Sequence, residues 1–117
     1  MIVTVYVAGP YTGDGEPGCK GNNTRSAIQA AEELFNLGFF PFVPHLNHYW
    51  DSIYSHSYEH WIQWCFVWLE RCDAVLRLPG ESKGADDEVA LAELAGIPVF
   101  YSVEELLKSK ENKNGIA

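Results

Sequence analysis

Four short apolar runs, separated by stretches of helical period, constrain the fold of this chain more than any other feature. Ile2 to Ala8 is β-branched and apolar and ends at Gly9-Pro10. Phe39 to Val43 is closed by Pro44, Ala74 to Leu78 by Pro79-Gly80, and Ile97 to Tyr101 precedes Ser102. Each reads as a strand, and none alternates apolar with polar residues, which is the pattern of strands buried on both faces. Between them the period is helical. Ala27, Ala31 and Leu34, with Ile28 and Phe35, are expected on one face of a helix starting near Thr24, with Gly38 at its end. Ser57 to Arg71 and Ala85 to Ala95 read as two more helices. Ser102 opens a last one, Val103 to Lys108, with Glu105 completing a capping box. The order β-α-β-α-β-α-β-α predicts an α/β fold: one open parallel sheet of four to five strands flanked by helices, Rossmann-like or flavodoxin-like, in three layers. A single domain is expected over 1–108, with a polar tail over 109–117.

The chain of 117 residues is long enough for one core, and 47% hydrophobic against 21% charged residues is a globular balance. Eight basic and 16 acidic residues leave a net charge of −8. So acidic a chain has few cations to displace counterions from a polyanion, so polymeric nucleic acid is excluded as a partner, and an anionic membrane surface is disfavoured. A small anionic ligand needs only a few aimed donors and stays open. There is no signal-peptide pattern, no apolar run of membrane-spanning length, and the three cysteines show no C-x-x-C spacing. A cytoplasmic protein with free thiols is expected.

Open parallel sheets bind ligands beyond the carboxyl ends of their strands, which directs attention to Gly9-Pro10-Tyr11, Pro44-His45 and Pro79 to Gly84. Gly13-Asp14-Gly15-Glu16-Pro17-Gly18 matches G-x-G-x-x-G in letters only. It begins several residues after the strand, and its acids would repel a pyrophosphate, so a flap near the site is the better reading. His56 and His60 are four apart on an expected helix start and could face one metal, but H-E-x-x-H is absent and a helix-surface pair is the favoured reading. No metal and no cofactor is expected. His45 is placed between a substrate contact and a loop-packing role. Trp61, Trp64 and Trp68 cover more than one helix face, which suggests a subunit interface on Ser57 to Arg71. Ser82 and Gly84 open a helix whose first turns carry Asp86, Asp87 and Glu88. Helix-dipole complementation accounts for those acids, and an anion site for the Ser-x-Gly start.

These residues resemble the nucleoside 2-deoxyribosyltransferase superfamily, which includes the deoxynucleoside 5′-monophosphate N-glycosidases and small phage and bacterial proteins. The resemblance runs from Val3 to about Tyr101. It rests on Tyr6-Val-Ala-Gly9-Pro10-Tyr11, on Pro44-His45, and on Cys72-Asp73-Ala74-Val75, Pro79-Gly80, Ser82-x-Gly84, Glu88 and Gly96-Ile97-Pro98-Val99. It implies an enzyme that cleaves or exchanges the N-glycosidic bond of a nucleoside or its 5′-monophosphate, with hydrolysis favoured over base transfer. Glu88 would attack the anomeric carbon and Tyr6 would orient it. Gly9, Pro10, Tyr11, His45, Gly80, Ser82 and Gly84 would bind substrate, with Ser82 on the phosphate. The family commonly carries an aspartate where this chain has Cys65, so the proton for the leaving base is expected from Asp86, Asp87, Glu81, His45 or a neighbouring subunit. The partner is then a small nucleotide or nucleoside, and the assembly a homodimer or larger. A binding protein without turnover is the alternative.

Overall fold

The computed structural model describes residues 2–11 and 19–111. The Gly13–Gly18 stretch and the end of the expected tail lie outside them. In chain order the elements are β1 (Thr4–Ala8), α1 (Cys19–Asn36), β2 (Phe40–Phe42), a 3-10 turn (Pro44–Leu46), α2 (Asn47–Ile53), α3 (Tyr58–Leu69), β3 (Ala74–Arg77), α4 (Lys83–Leu94), β4 (Val99–Phe100) and α5 (Val103–Glu111).

The four strands form one sheet in the order β2-β1-β3-β4, with every pairing parallel. Thr4, Val5 and Tyr6 of β1 lie opposite Phe40, Pro41 and Phe42 of β2, and Tyr6 lies opposite Val75 of β3. Successive side chains of β1 go to opposite faces, as the pleat requires. Val5 and Val7 pack with Ala27 and Leu34 of α1 and Leu106 of α5. Tyr6 and Ala8 pack with Cys65 and Leu69 of α3 and Ala85 and Ala92 of α4. Two cores on the two faces of one sheet make the three-layer α/β architecture read from the sequence. The chain leaves β1 for one side of the sheet to build β2, then crosses to the other to build β3. The helices that follow β1 and β3 therefore lie on opposite faces of the sheet, and a crevice opens beyond the carboxyl ends of these strands.

Asp73 marks the opposite end. Its Oδ2 accepts from the Thr4 N–H at 2.9 Å and the Thr4 hydroxyl at 3.1 Å, tying the starts of β1 and β3 together far from the crevice.

Several boundaries differ from the expectations. Helix α1 begins at Cys19 rather than near Thr24. Its buried face is Thr24, Ala27, Ala31 and Leu34, whereas Ile28 and Phe35 are exposed. At 100° per residue these two fall beside the core-facing stripe rather than on it. Gly38 ends the helix at φ +93°, a region that glycine enters without a Cβ clash. Segment 47–53, read as loop, is α2. Helix α4 starts at Lys83, not Ala85, because Ser82 caps it: its Oγ accepts from the Ala85 N–H at 3.1 Å. Helix α5 runs to Glu111, past the expected start of the tail at 109. Ser102 does cap it, accepting from the Glu105 N–H at 3.1 Å, while Glu105 reaches back to the Tyr101 N–H. No described helix is long and apolar enough to cross a membrane.

Candidate active site at the strand ends

A cleft of about 460 Å³ opens at the carboxyl end of the sheet. Gly9, Pro10 and Tyr11 after β1, His45 after β2, and Ser82, Gly84 and Glu88 around the start of α4 all line it. Gly80 sits just behind this rim. Its φ is +116°, and a Cβ there would come within 2.8 Å of the Pro10 Cγ. The turn after β3 can therefore lie against the turn after β1 only because residue 80 lacks a side chain.

At the floor, the Tyr6 hydroxyl donates to Glu88 Oε2. Tyr6 is fully buried on the central strand, and Glu88 is 7% exposed on the second turn of α4. Burial pushes the Glu88 carboxyl up to about 7, and the Tyr6 hydrogen bond and the nearby Arg77 charge only partly oppose it. Burial also raises the Tyr6 phenol well above its usual range, with the Glu88 charge adding to it. The phenol therefore keeps its proton and donates it. Cys65 of α3 lies in the same buried cluster as this phenol, and burial lifts its thiol to about 11. The floor thus carries one titratable carboxyl near neutrality, flanked by two groups that stay protonated.

His45 is 4% exposed. Its Nε2 lies 3.0 Å from the Pro10 carbonyl, an acceptor, so that nitrogen carries the hydrogen. Burial lowers its pKa, which keeps the ring neutral. Its Nδ1 is buried with no hydrogen-bond partner among the described residues. The ring thus braces the β1 loop while forming part of the cleft wall. Tyr11 is held from two sides: its hydroxyl meets His48 Nδ1 at 2.9 Å, and its carbonyl accepts from Asn23 at 2.9 Å.

The acids nominated beside Glu88 separate. Asp86 turns away to Arg77 at 3.0 Å, and Asp87 pairs with Lys83 at 2.8 Å; neither lines the cleft, whereas Glu81 does. His56 precedes α3, which is capped at Ser57, so the two are not a pair on one helix, yet their rings lie side by side with centroids 5.0 Å apart. Among the described residues no group of three or more His, Cys, Asp or Glu could hold a metal.

Two features escaped the sequence reading. One is Arg77, buried at the end of β3, whose guanidinium donates to the carbonyls of Leu78 and Gly80 and to Asp86. It fastens the β3–α4 turn that shapes the rim. A charge inside an otherwise apolar strand was the available signal, since such a charge must be paired. The other is the wall formed by α2 and the start of α3, where Asn47, Asp51, Tyr58 and Trp61 line the cleft. Only Pro44, a helix-starting residue, hinted at structure there.

The family described as "Domain of unknown function (DUF4406)" matches residues 3–101. None of the curated proteins matches the chain. Among solved structures, the 2-desoxiribosyltransferase from Leishmania mexicana superposes with a TM-score of 0.59 at 18% identity, over 84% of this chain and 62% of that one. The 2-deoxyribosyltransferase from the psychrotolerant bacterium Bacillus psychrosaccharolyticus superposes with a TM-score of 0.57 at 21% identity, over 83% of this chain and 69% of that one. The chain therefore has the 2-deoxyribosyltransferase-like fold, and it spans less than two thirds of the length of the Leishmania protein.

Proposed function

Since the chain belongs to the DUF4406 family and folds like the 2-deoxyribosyltransferases, we propose that it cleaves the N-glycosidic bond of a nucleoside or nucleoside 5′-monophosphate, with Glu88 as nucleophile. The observation that carries this reading is the Tyr6–Glu88 hydrogen bond at the floor of the cleft. Tyr6 holds Oε2 and leaves Oε1 to attack the anomeric carbon. The carbon–nitrogen bond breaks with its electron pair going to the base, which takes up a proton. The resulting glycosyl ester is then opened by water, or by a second base in the transferase variant. A carboxyl held near 7 is partly ionised at neutral pH and can attack as the carboxylate; when water attacks the anomeric carbon, the ester bond breaks with its electrons returning to Glu88, which can take up the proton that water gives off.

The start of α4 supports a 5′-phosphate as part of the substrate. Ser82 already accepts one bond from the Ala85 N–H, and its own hydroxyl hydrogen can still go to a ligand oxygen. Gly84 lets an oxygen approach the main chain, and the helix dipole favours the charge. Hydrolysis is the favoured outcome. The test is a panel of ribo- and deoxyribonucleosides and their monophosphates incubated with the protein, with free base followed by chromatography. Release from at least one member, abolished by Glu88→Ala, is expected. Release from none, or release that survives Glu88→Ala, would sink the proposal.

One observation favours a second reading, a nucleotide-binding protein without turnover. Cys65, a thiol held at about 11, stands where the resembling family has a carboxylic acid. Binding of a monophosphate that stays intact for hours would select it. We further propose that the chain self-associates through Ser57–Arg71, where Trp68 and Val67 are exposed. Sedimentation at tens of micromolar should show a dimer or larger species, and a monomer would refute it. The free thiols of Cys65 and Cys72 suit a cytoplasmic site of action.

A further inference from the structure

Breaking the bond to a neutral nucleobase leaves negative charge on the base, which then needs a proton. The groups around the floor of the cleft are set against supplying one. The Cys65 thiol is buried where the resembling family carries an acid, and it is held at about 11. The Tyr6 hydroxyl is already given to Glu88. The His45 hydrogen goes to the Pro10 carbonyl, and burial keeps that ring neutral. Asp86 is held by Arg77 and Asp87 by Lys83, and the Lys83 ammonium, tied to Asp87, keeps its own proton more firmly for it. Glu81 remains on the rim, exposed, where it presents negative charge.

What the cleft does offer is aromatic surface and negative charge. Trp61, Ile62 and Cys65 of α3 line it, Tyr11 and Tyr58 add two phenol rings, and Glu81 and Glu88 outnumber Lys83, whose charge is paired with Asp87. Aromatic faces with carboxylates around them favour a flat cation. We propose that the site takes glycosides of a pyridinium-type base: a flat aromatic ring that is a cation while bonded to the sugar and departs neutral, with no proton required. A Glu88 oxygen bonds to the anomeric carbon, the bond from that carbon to the positive ring nitrogen breaks, and its electron pair neutralises the nitrogen. Water then attacks the anomeric carbon, the ester electrons return to Glu88, and the proton of water passes by way of that carboxylate to solvent. The products are a free sugar, a neutral base and one proton. None of this depends on which wall the base meets. The 5′-monophosphate of such a glycoside is a zwitterion, whose phosphate still suits the start of α4. Resting on the N-glycosidic reading of the site, this assignment narrows it to one class of base.

The test follows base release by the full chain from the ribosides and 2′-deoxyribosides of nicotinamide, adenine and uracil, each also as the 5′-monophosphate. The nicotinamide compounds are expected to lead by about a hundredfold or more in kcat/KM, the usual worth of a general acid. Cys65→Asp places an acid at the floor and should help the neutral bases, so the lead should shrink at least about tenfold. A lead unchanged in the folded variant comes from the leaving group alone and overturns the assignment. If Cys65→Asp does not fold, Glu81→Gln on the exposed rim decides. It should raise KM for the nicotinamide compounds about two- to fivefold more than for the adenine ones, and an equal effect overturns the assignment. A smaller wild-type lead, or none, with release abolished by Glu88→Ala, keeps the N-glycosidic reading and rejects the pyridinium assignment. Release from none of the compounds, or release that survives Glu88→Ala, rejects both.

Discussion

Tyr6 and Glu88 are 82 positions apart in sequence, yet the phenol of one donates directly to the carboxylate of the other. The contact crosses from the central strand to the helix that follows its neighbour. It depends on β1 and β3 being paired in register and on α4 lying over both. A residue of the core thereby moderates the rise that burial imposes on the pKa of a residue of the cleft.

Activity should follow that ionisation. Glu88 is held at about 7, so base release should rise with pH through about 7 as the carboxylate forms. The Tyr6 bond pulls the Glu88 pKa down. Tyr6→Phe should therefore move the acid limb of the profile to higher pH as well as slow the reaction. A rate profile across pH 5 to 9 on both proteins checks this. An acid limb that stays in place would remove the proposed link between the two residues.

Stability should carry the same signature with the opposite slope. The Glu88 proton is held more tightly in the folded chain than its ordinary value of 4.5 would give. Its contribution is thus present in full below about 4.5 and is lost as pH rises through about 7, a difference of roughly 3 kcal/mol. Glu88→Gln has no such proton to lose. Urea denaturation at a series of pH values should show the variant gaining on the parent across that window and exceeding it at pH 8. A constant gap between the two proteins would contradict the shift.

Arg77→Met should be costly. The guanidinium is buried, and its loss strands two carbonyls at the β3–α4 turn as well as Asp86. A loss of about 2–4 kcal/mol is expected in the same denaturation experiment. Because the Arg77 charge helps to lower the Glu88 pKa, any activity that remains should also show its acid limb at higher pH. Unaltered stability would mean that the turn holds itself.

Gly80→Ala tests the rim. The alanine would sit at φ +116° with its Cβ against Pro10. A loss of about 1–3 kcal/mol is expected, with weaker nucleotide binding because the β1 loop must move. Wild-type stability and affinity would show that the two turns need not touch.

Cys65 should be inert while the chain is folded. A thiol held at about 11 presents about one thiolate in a thousand at pH 8. Peptide mapping after brief alkylation should find Cys65 unmodified in the native protein and modified in urea. Rapid native labelling would place the thiol in a more open environment than the one beside Tyr6.

The sheet was legible because its strands announce themselves: Val5, Val7, Val75 and Leu76 sit in apolar runs that end at glycine or proline, and only burial on both faces suits such runs. The rim residues Gly9, Ser82 and Gly84 followed from where those runs end, whereas Glu88 on the floor was singled out by the family resemblance. What could not be read was the α2 wall. Asn47 to Ile53 has no apolar period, because α2 buries none of its residues, and a helix held at its ends and by Asp51 leaves no stripe in the sequence. Arg77 stood out as a charge in an otherwise apolar strand, but its partners lie in the turn after β3 and at the start of α4, and the path of that turn is not written in the sequence. The separation of Asp86 and Asp87 from Glu88 depends on which way each turns from α4, and that is set by Arg77 and Lys83 rather than by their spacing.

The short strand β2 has one further consequence. Phe40 gives its N–H to the Val3 carbonyl, so the main-chain polar groups of Phe40 turn towards β1 and those of the next residue, Pro41, turn to the open border of the sheet. Proline has no hydrogen to offer there. The other border, β4, is two residues long. A stray strand arriving at either side would find almost no ladder to extend, which guards the protein against fibrous stacking.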